Sequence, residues 1–392
     1  MVVLDGAADR PLAELDGRTP LQAADTPAMA RLAAGGIVGL VKTIPDGMTP
    51  GTDVAFLSIL GYDPRRYFAG RAGLEALSLG IPLDAKDVAF RCNLVTVDDD
   101  AANLLHYSAA EISTQEARPL VTLVRERLRS RRFALHPGQS FRNILVWREG
   151  SLDVQTTPPH EVQGQAVEPH LPRGDGDGEL RQFIYDSFDL LHKHDINRRR
   201  LDEGRFPANM LWPWGQGRLP QLPSFPVAHG VTAALVAGTD TVKGMATAAG
   251  ITVLDVPGAT GNLDTDFAAK GRAGIAALEV YDLVIVHIEA PDTAAHNADL
   301  EGKVWAIEQI DREIVGPIAD FLKPFEQHKI LILPDHYTCL ATRGHAADPV
   351  PFLLYTPFLI PDHSEHFDEP SARESDWSLE EGHRLIQLML VN

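Results

Sequence analysis

The sequence predicts an α/β fold, a mostly parallel sheet covered by helices on both faces, with a smaller α+β domain inserted into it. Three observations lead there. Short β-branched apolar runs alternate with helical stretches toward both ends of the chain, and such alternation builds a parallel sheet. The middle of the chain breaks the alternation. Finally, 392 residues exceed what one hydrophobic core usually serves.

Taken in order, residues 1–4, 37–44, 232–237, 251–256, 283–288 and 330–333 read as strands, each short, apolar and bounded by turn residues. Helical stretches fall at 26–34, 240–249, 266–278 and 301–322, the last with Val304, Ile307, Ile310 and Ile314 recurring on one face. The middle stretch carries strands at 88–97 and 143–147, helices at 114–129 and 179–192, and a Gly/Asp/Pro-rich loop at 168–178. The division is therefore 1–86 with 210–392 for the main domain and 87–209 for the insertion.

Composition excludes several function classes. A formal net charge of -19 argues against a nucleic-acid or anionic-membrane partner, since those surfaces require a basic field. No apolar run reaches bilayer-spanning length and MVVLDGAADRPL lacks the parts of a secretory leader, so the expectation is a cytoplasmic protein. Cys92 and Cys339 form no CxxC motif and read as inert thiols.

Chemistry concentrates at strand ends. VVLD ends at Asp5, VIVHIEAPD at Asp292 and ILILPD at Asp335. The carboxyl ends of parallel strands form the ligand-binding edge of an open sheet, so the three carboxylates are expected to meet. Histidines accompany them: His296 stands four residues after Asp292, His336 follows Asp335, and His345 lies on the loop beyond. Carboxylates with imidazoles and no thiolate suit Zn²⁺ or Mn²⁺ at a reactive site. A second signal is Pro50-Gly51-Thr52-Asp53 before the apolar VAFLSILG. Thr52 there is either a hydroxyl presented at a helix N-terminus, where anions bind, or an ordinary N-cap.

Asp5-Gly6, PGTD, LSILGYDP, GRAGLEAL, FRCNLVTV, HIEAPDTAAH and PDHYTCLATRGH together resemble the archaeal-type cofactor-independent phosphoglycerate mutases of the alkaline phosphatase superfamily. The resemblance covers nearly the whole chain. It implies an alkaline phosphatase-like sheet and two divalent ions, Mn²⁺ or Zn²⁺ with Mg²⁺ or Co²⁺ as alternatives, around a hydroxyl nucleophile, with no 2,3-bisphosphoglycerate. Carried over by position, Asp5, Thr52, Asp335 and His336 would hold one ion and Asp292, His296 and His345 the other. The implied reaction interconverts 3- and 2-phosphoglycerate, with the inserted domain closing over the substrate. Two departures stand out: Thr52 occupies the place where these mutases usually have Ser, and only four residues precede Asp5, so the first strand is abbreviated or the true start lies upstream.

Binding a small phosphorylated acid in so acidic a chain demands cations. Arg71, Arg91, Arg142 and Lys243 are the candidates, Lys243 and Arg91 with catalytic contacts, and His160 is a further substrate-binding candidate. HYSAAEISTQEA, TPPHEVQG and LWPWGQG are also similar to the family's proposed homoserine kinase branch, which leaves a kinase-like phosphotransferase or a metal-dependent phosphatase as the alternative. The oligomeric state is left open by the sequence.

Overall fold

Val2–Leu4 is the strand about which the larger domain is built. In the computed structural model, which describes residues 1–362 and 364–390, it belongs to an eight-stranded sheet. The order is Thr252–Val253, Ala233–Val236, Leu283–Ile288, Val2–Leu4, Ile330–Leu333, Val350–Tyr355, Ile37–Val41 and Ser378–Leu379. Both neighbours of Val2–Leu4 run parallel to it, with Leu4 beside Ile288 and Val3 beside Leu333. The parallel majority is as expected.

Val350–Tyr355 departs from it, pairing antiparallel with Ile330–Leu333 and with Ile37–Val41. Pro351 conceals this strand in the sequence, because proline cannot donate to a ladder and argues against an interior strand. The structure accommodates it at the strand's start, where pairing with Ile330–Leu333 has not yet begun.

Helices cover both faces. Val284, Val286 and Ile288 share a core with residues of the helices Pro27–Ala34, Phe267–Ala277 and Leu300–Ile310. His287 points to the opposite face, as strand alternation requires, and its ring meets Phe56 of the helix Thr52–Ile59 edge to face at 5.5 Å. The helical stretch expected over 301–322 is present, as Leu300–Ile310 and Gly316–Leu322 continuous through the π-helical turn Asp311–Val315. Pro317 lies just beyond the π turn and has no N–H to give to the regular ladder there. The turn aims Asp311 at the start of the helix Pro27–Ala34, where its carboxylate accepts from the Ala28 and Met29 amides at 2.9 and 2.7 Å.

Lys303 is fully buried and ties the helical layer to the loops beside the strand ends. Its Nζ donates to Asp9 Oδ2 at 2.9 Å and to the carbonyls of Thr338 and Ala8 at 2.7 and 3.4 Å. Glu369 extends the network, accepting from the Asp9 amide at 3.0 Å and the Thr19 hydroxyl at 2.6 Å. Removing one partner of a buried pair strands the other charge, so Lys303→Ala is expected to destabilise the protein by about 3–5 kcal/mol. Chemical denaturation checks this; a loss under about 0.5 kcal/mol, the range of surface substitutions, would contradict it.

The insertion is wider than 87–209. The chain divides into Met1–Phe68 with Gln221–Asn392, and Ala69–Pro220. Helix Arg71–Ser78 belongs to the inserted unit because its glycines let it lie directly on backbone. A Cβ at Gly70, whose φ is +90°, would stand 2.2 Å from the Gln216 carbonyl oxygen, and one at Gly73 would stand 2.0 Å from that of Arg218. Met210–Gly217, sequence MLWPWGQG, pairs with one side of Val88–Val97 while Arg142–Trp147 pairs with the other. Its Pro and Gly content disguises it as a loop, and its place on the sheet's edge tolerates both.

Among the described residues no helix is long and apolar enough to cross a membrane. Both cysteines are buried and unpaired. Burial pushes both thiols up, which keeps them from becoming reactive thiolates.

Candidate functional site

The three aspartates at strand ends do converge, because the strands Leu283–Ile288, Val2–Leu4 and Ile330–Leu333 that deliver them are adjacent. Gly6 makes the approach feasible. Its φ is +63°, and a Cβ there would lie 2.5 Å from Thr338 Oγ1 and 2.7 Å from Asp292 Cβ. Its amide donates to Asp335 Oδ1 at 3.0 Å, and the His336 amide donates to the same oxygen at 2.8 Å.

Asp5, Asp335 and His336 form a fully buried group. His336 Nε2 lies 3.5 Å from Asp5 Oδ1 and 3.4 Å from Asp335 Oδ2. Thr52 joins them, its Oγ1 standing 3.4 Å from Asp5 Oδ2 and 3.3 Å from His336 Nε2. Thr52 is the first residue of its helix, the cap position belongs to Gly51, and the first-turn amide of Val54 is accepted by Asp53 at 3.0 Å and not by Thr52. The N-cap alternative is thereby removed, and the hydroxyl is turned toward the carboxylates.

Asp292, His296 and His345 form the second group. The helix Ala290–His296 begins directly after its strand, so the four-residue spacing puts Asp292 and His296 on one face as expected. His296 Nε2 and His345 Nε2 lie 3.3 Å from Asp292 Oδ2 and Oδ1 respectively, and 2.9 Å from each other. Asp292 is buried whereas His296 is exposed, so this group opens outward and the first does not.

The second layer fixes the tautomers. Nδ1 of His296 faces the Arg343 carbonyl at 2.8 Å and Nδ1 of His345 faces that of Pro50 at 3.3 Å. Thr338 donates its hydroxyl to Asp292 Oδ1 at 2.6 Å, so its oxygen accepts from His336 Nδ1 at 3.2 Å. Each ring therefore has an oxygen to which Nδ1–H can donate, which leaves Nε2 available to an ion, the arrangement of metal-ligating histidines.

Charge tells the same story. Burial, and then the neighbouring carboxylates of Asp335, Asp292 and Glu289, hold Asp5 well above the usual carboxylate range. Burial acts likewise on Asp292, but the imidazoles of His296 and His345 outweigh it and hold that carboxyl well below its usual range. His296 is raised in turn by its bond to Asp292, and His336 is lowered by burial. Asp5 Oδ1 and Asp335 Oδ2 are buried with no hydrogen-bond partner. Buried anionic oxygens without donors are unfavourable unless a cation answers them. The residues fit a divalent ion in each group.

Of the expected substrate residues, the structure groups three. Arg71 Nε and Arg91 Nε lie 3.1 Å from opposite oxygens of Glu75. Arg91 stacks on the Trp214 ring at 4.5 Å, and His160 meets that ring edge on at 5.4 Å. Burial, with Arg91 contributing, holds His160 below the ordinary histidine range. Arg142 is exposed and stacks on Phe141 instead, at 4.3 Å. Lys243 lies in the other unit, on helix Asp240–Ala248, where its charge helps lower Lys270.

Besides Thr338, His287 and Lys270 of this neighbourhood escaped the sequence reading. His287 is fully buried, with Nε2 3.3 Å from Asp5 Oδ2, and burial takes its pKa down to about 4. Lys270 is buried as well, donating to the carbonyls of Thr260 and His287 at 3.0 and 3.4 Å, with a pKa lowered by burial to about 8. The available signal for His287 is a titratable residue inside an otherwise apolar strand.

Residues 33–197 match the family described as 2,3-bisphosphoglycerate-independent phosphoglycerate mutase. A relative of that name from Methanothrix thermoacetophila is 46% identical over 388 residues, covering 99% of this chain and 98% of the relative. A 2,3-bisphosphoglycerate-independent phosphoglycerate mutase 2 from Methanothermobacter thermautotrophicus is 44% identical, covering 100% of this chain and 96% of its own. The solved structure of a Pyrococcus horikoshii protein superposes with a TM-score of 0.84 at 32% identity, over 99% of this chain and 95% of that one. A cofactor-independent phosphoglycerate mutase from Thermoplasma acidophilum superposes with a TM-score of 0.69 at 27% identity, over 99% and 97% of the two chains. Similarity of this extent, reaching end to end in sequence and in fold, establishes that the chain belongs to the 2,3-bisphosphoglycerate-independent phosphoglycerate mutase family.

Proposed function

We propose that the protein is a phosphoglycerate mutase that interconverts 3- and 2-phosphoglycerate through a phosphothreonine at Thr52. The observation carrying this is the position of Thr52 Oγ1, at a helix start and within 3.4 Å of both Asp5 and His336. Asp5, Thr52, Asp335 and His336 would hold one divalent ion, Mn²⁺ or Zn²⁺, and Asp292, His296 and His345 a second. What such ions supply when bound is a lowered hydroxyl pKa and neutralised phosphoryl charge.

The chain's own part follows from its geometry. With His336 Nε2 given to the ion, Asp5 Oδ2 is the acceptor in reach of the Thr52 proton, and the positive N-terminal end of helix Thr52–Ile59 favours the incoming phosphoryl oxygens. Thr52 Oγ1 forms the new bond to phosphorus as the bond to the glycerate 3-oxygen breaks, and that oxygen takes a proton. The 2-hydroxyl then attacks the phosphothreonine, releases Thr52 Oγ1 and gives up its proton. Retention of the same glycerate between the two steps makes the net reaction an isomerisation.

In this reading the inserted domain is the substrate domain. Arg71, Arg91, Arg142 and His160 are its substrate-binding residues, and Lys243, in the larger domain, is a further one. Purified protein with Mn²⁺ and 3-phosphoglycerate should form 2-phosphoglycerate, followed by phosphorus NMR. Release of inorganic phosphate alone would make it a phosphatase, and phosphorylation of homoserine from an added donor would make it a kinase.

A further inference from the structure

We infer that His287 is a positioning residue of the metal centre, donating Nε2–H to Asp5 Oδ2 so that Asp5 Oδ1 is held toward the ion. This deepens the proposed function and rests on the two-ion reading of the site. Neither His287 ring nitrogen has a hydrogen-bond partner of good geometry, although the side chain is fully buried. A buried polar ring left idle inside an apolar strand is unfavourable, and such groups call for a role.

Nε2 lies 3.3 Å from Asp5 Oδ2. Nδ1 of His287 has no partner, unlike Nδ1 of His336, which faces the Thr338 hydroxyl, so the oxygen in reach of the ring's proton is Asp5 Oδ2. The proton therefore sits on Nε2, the opposite tautomer to His336, which carries its proton on Nδ1 against Thr338. The difference sorts the two rings: His336 turns a lone pair to the ion, while His287 turns a donor to the ligand. Asp5 Oδ2 is then occupied by His287 on one side and Thr52 on the other, and the partnerless Oδ1 is left as the coordinating oxygen.

His287 is itself held from two directions. The edge-to-face contact with Phe56 at 5.5 Å sets the ring plane. Lys270, donating to the His287 backbone carbonyl at 3.4 Å and to that of Thr260 at 3.0 Å, anchors the strand end from which it projects.

The test is calorimetric titration of metal-free protein with Mn²⁺, which needs no turnover. His287→Phe keeps the ring and the Phe56 contact but has no donor, and should weaken one of the two binding events about 10- to 100-fold, the effect typical of losing an outer partner of a metal ligand. His287→Gln, which carries an N–H at a similar reach, should recover most of that loss. In turnover, kcat should fall with KM for 3-phosphoglycerate little changed. Should His287→Phe fail to fold, His287→Leu serves as the donor-free variant. Wild-type Mn²⁺ affinity in a folded donor-free variant, or a Gln variant no better than Phe or Leu, overturns the inference. Wild-type protein that binds no Mn²⁺ at all would instead bring down the two-ion reading on which it rests.

Discussion

Thr52→Ala is expected to abolish mutase activity, with kcat falling by about 10⁴-fold or more, because the variant has no oxygen to carry the phosphoryl group. The same substitution should leave the fold nearly intact. Thr52 is not the cap of its helix, so the loss of about 0.5–2 kcal/mol that accompanies removal of an N-cap is not expected, and alanine favours helix at that position. Thr52→Ser keeps the hydroxyl and removes one methyl, and should retain activity within about tenfold, a modest change of barrier. Mass spectrometry of acid-quenched enzyme should show a phosphate on wild type and on the serine variant, and none on the alanine variant. A folded Thr52→Ala protein with near-normal turnover would remove Thr52 from the mechanism.

Asp335→Asn should be nearly as damaging, through a different route. Asp335 uses Oδ1 to accept the amides of Gly6 and His336 and leaves Oδ2 without a donor. Asparagine can keep the first function and replaces the second oxygen with an amide nitrogen that does not ligate a cation. Alanine would confuse the two by also stranding buried amides, at about 1–3 kcal/mol each. The expected result is a fall in kcat of about 10³-fold or more, since the ion's contribution to phosphoryl transfer is lost, and a drop from two bound Mn²⁺ per chain toward one by metal analysis.

Stability should move oppositely in the two metal states. Without ions, Asp335→Asn removes one of the carboxylates that hold Asp5 well above its ordinary range, so the metal-free variant should melt above metal-free wild type. With saturating Mn²⁺ the order should reverse, because an ion at about 100 times its Kd adds roughly 2.7 kcal/mol to a protein that binds it only when folded. Differential scanning calorimetry with and without Mn²⁺ reads both. Equal responses to Mn²⁺ in the two proteins would remove Asp335 from the ligand set.

The architecture of this site was legible because strand ends announce themselves. An apolar run stopped by Asp needs no tertiary information, and three such runs on a parallel sheet imply one edge. The convergence of Asp5, Asp292 and Asp335 follows from that, and the adjacency of their strands bears it out. What stayed hidden depends on packing. Lys303 and Lys270 look like solvent-facing helix residues, and only the surrounding carbonyls and Asp9 show why they are buried. Thr338 reads as one more residue of a loop, yet its hydroxyl joins Asp292 to His336. The wider insertion was missed for a related reason, since nothing local in GRAGLEAL reveals which of two domains the helix will pack against.

The placement of Val2–Leu4 between two strands from much later in the chain has a consequence for biosynthesis. Val2 pairs with Val286 and with Ile332, so the strand emerges from the ribosome long before either neighbour exists. At about 5–20 residues per second that wait is on the order of 15–60 s, while the inserted domain, made of contacts closer in sequence, can fold in the interval. Closure of the large sheet is then a late event with high entropic cost, and Asp5 meets Asp335 only when it happens. Divalent ions added during refolding should therefore slow unfolding much more than they speed folding, because the centre that binds them is absent from the early transition state.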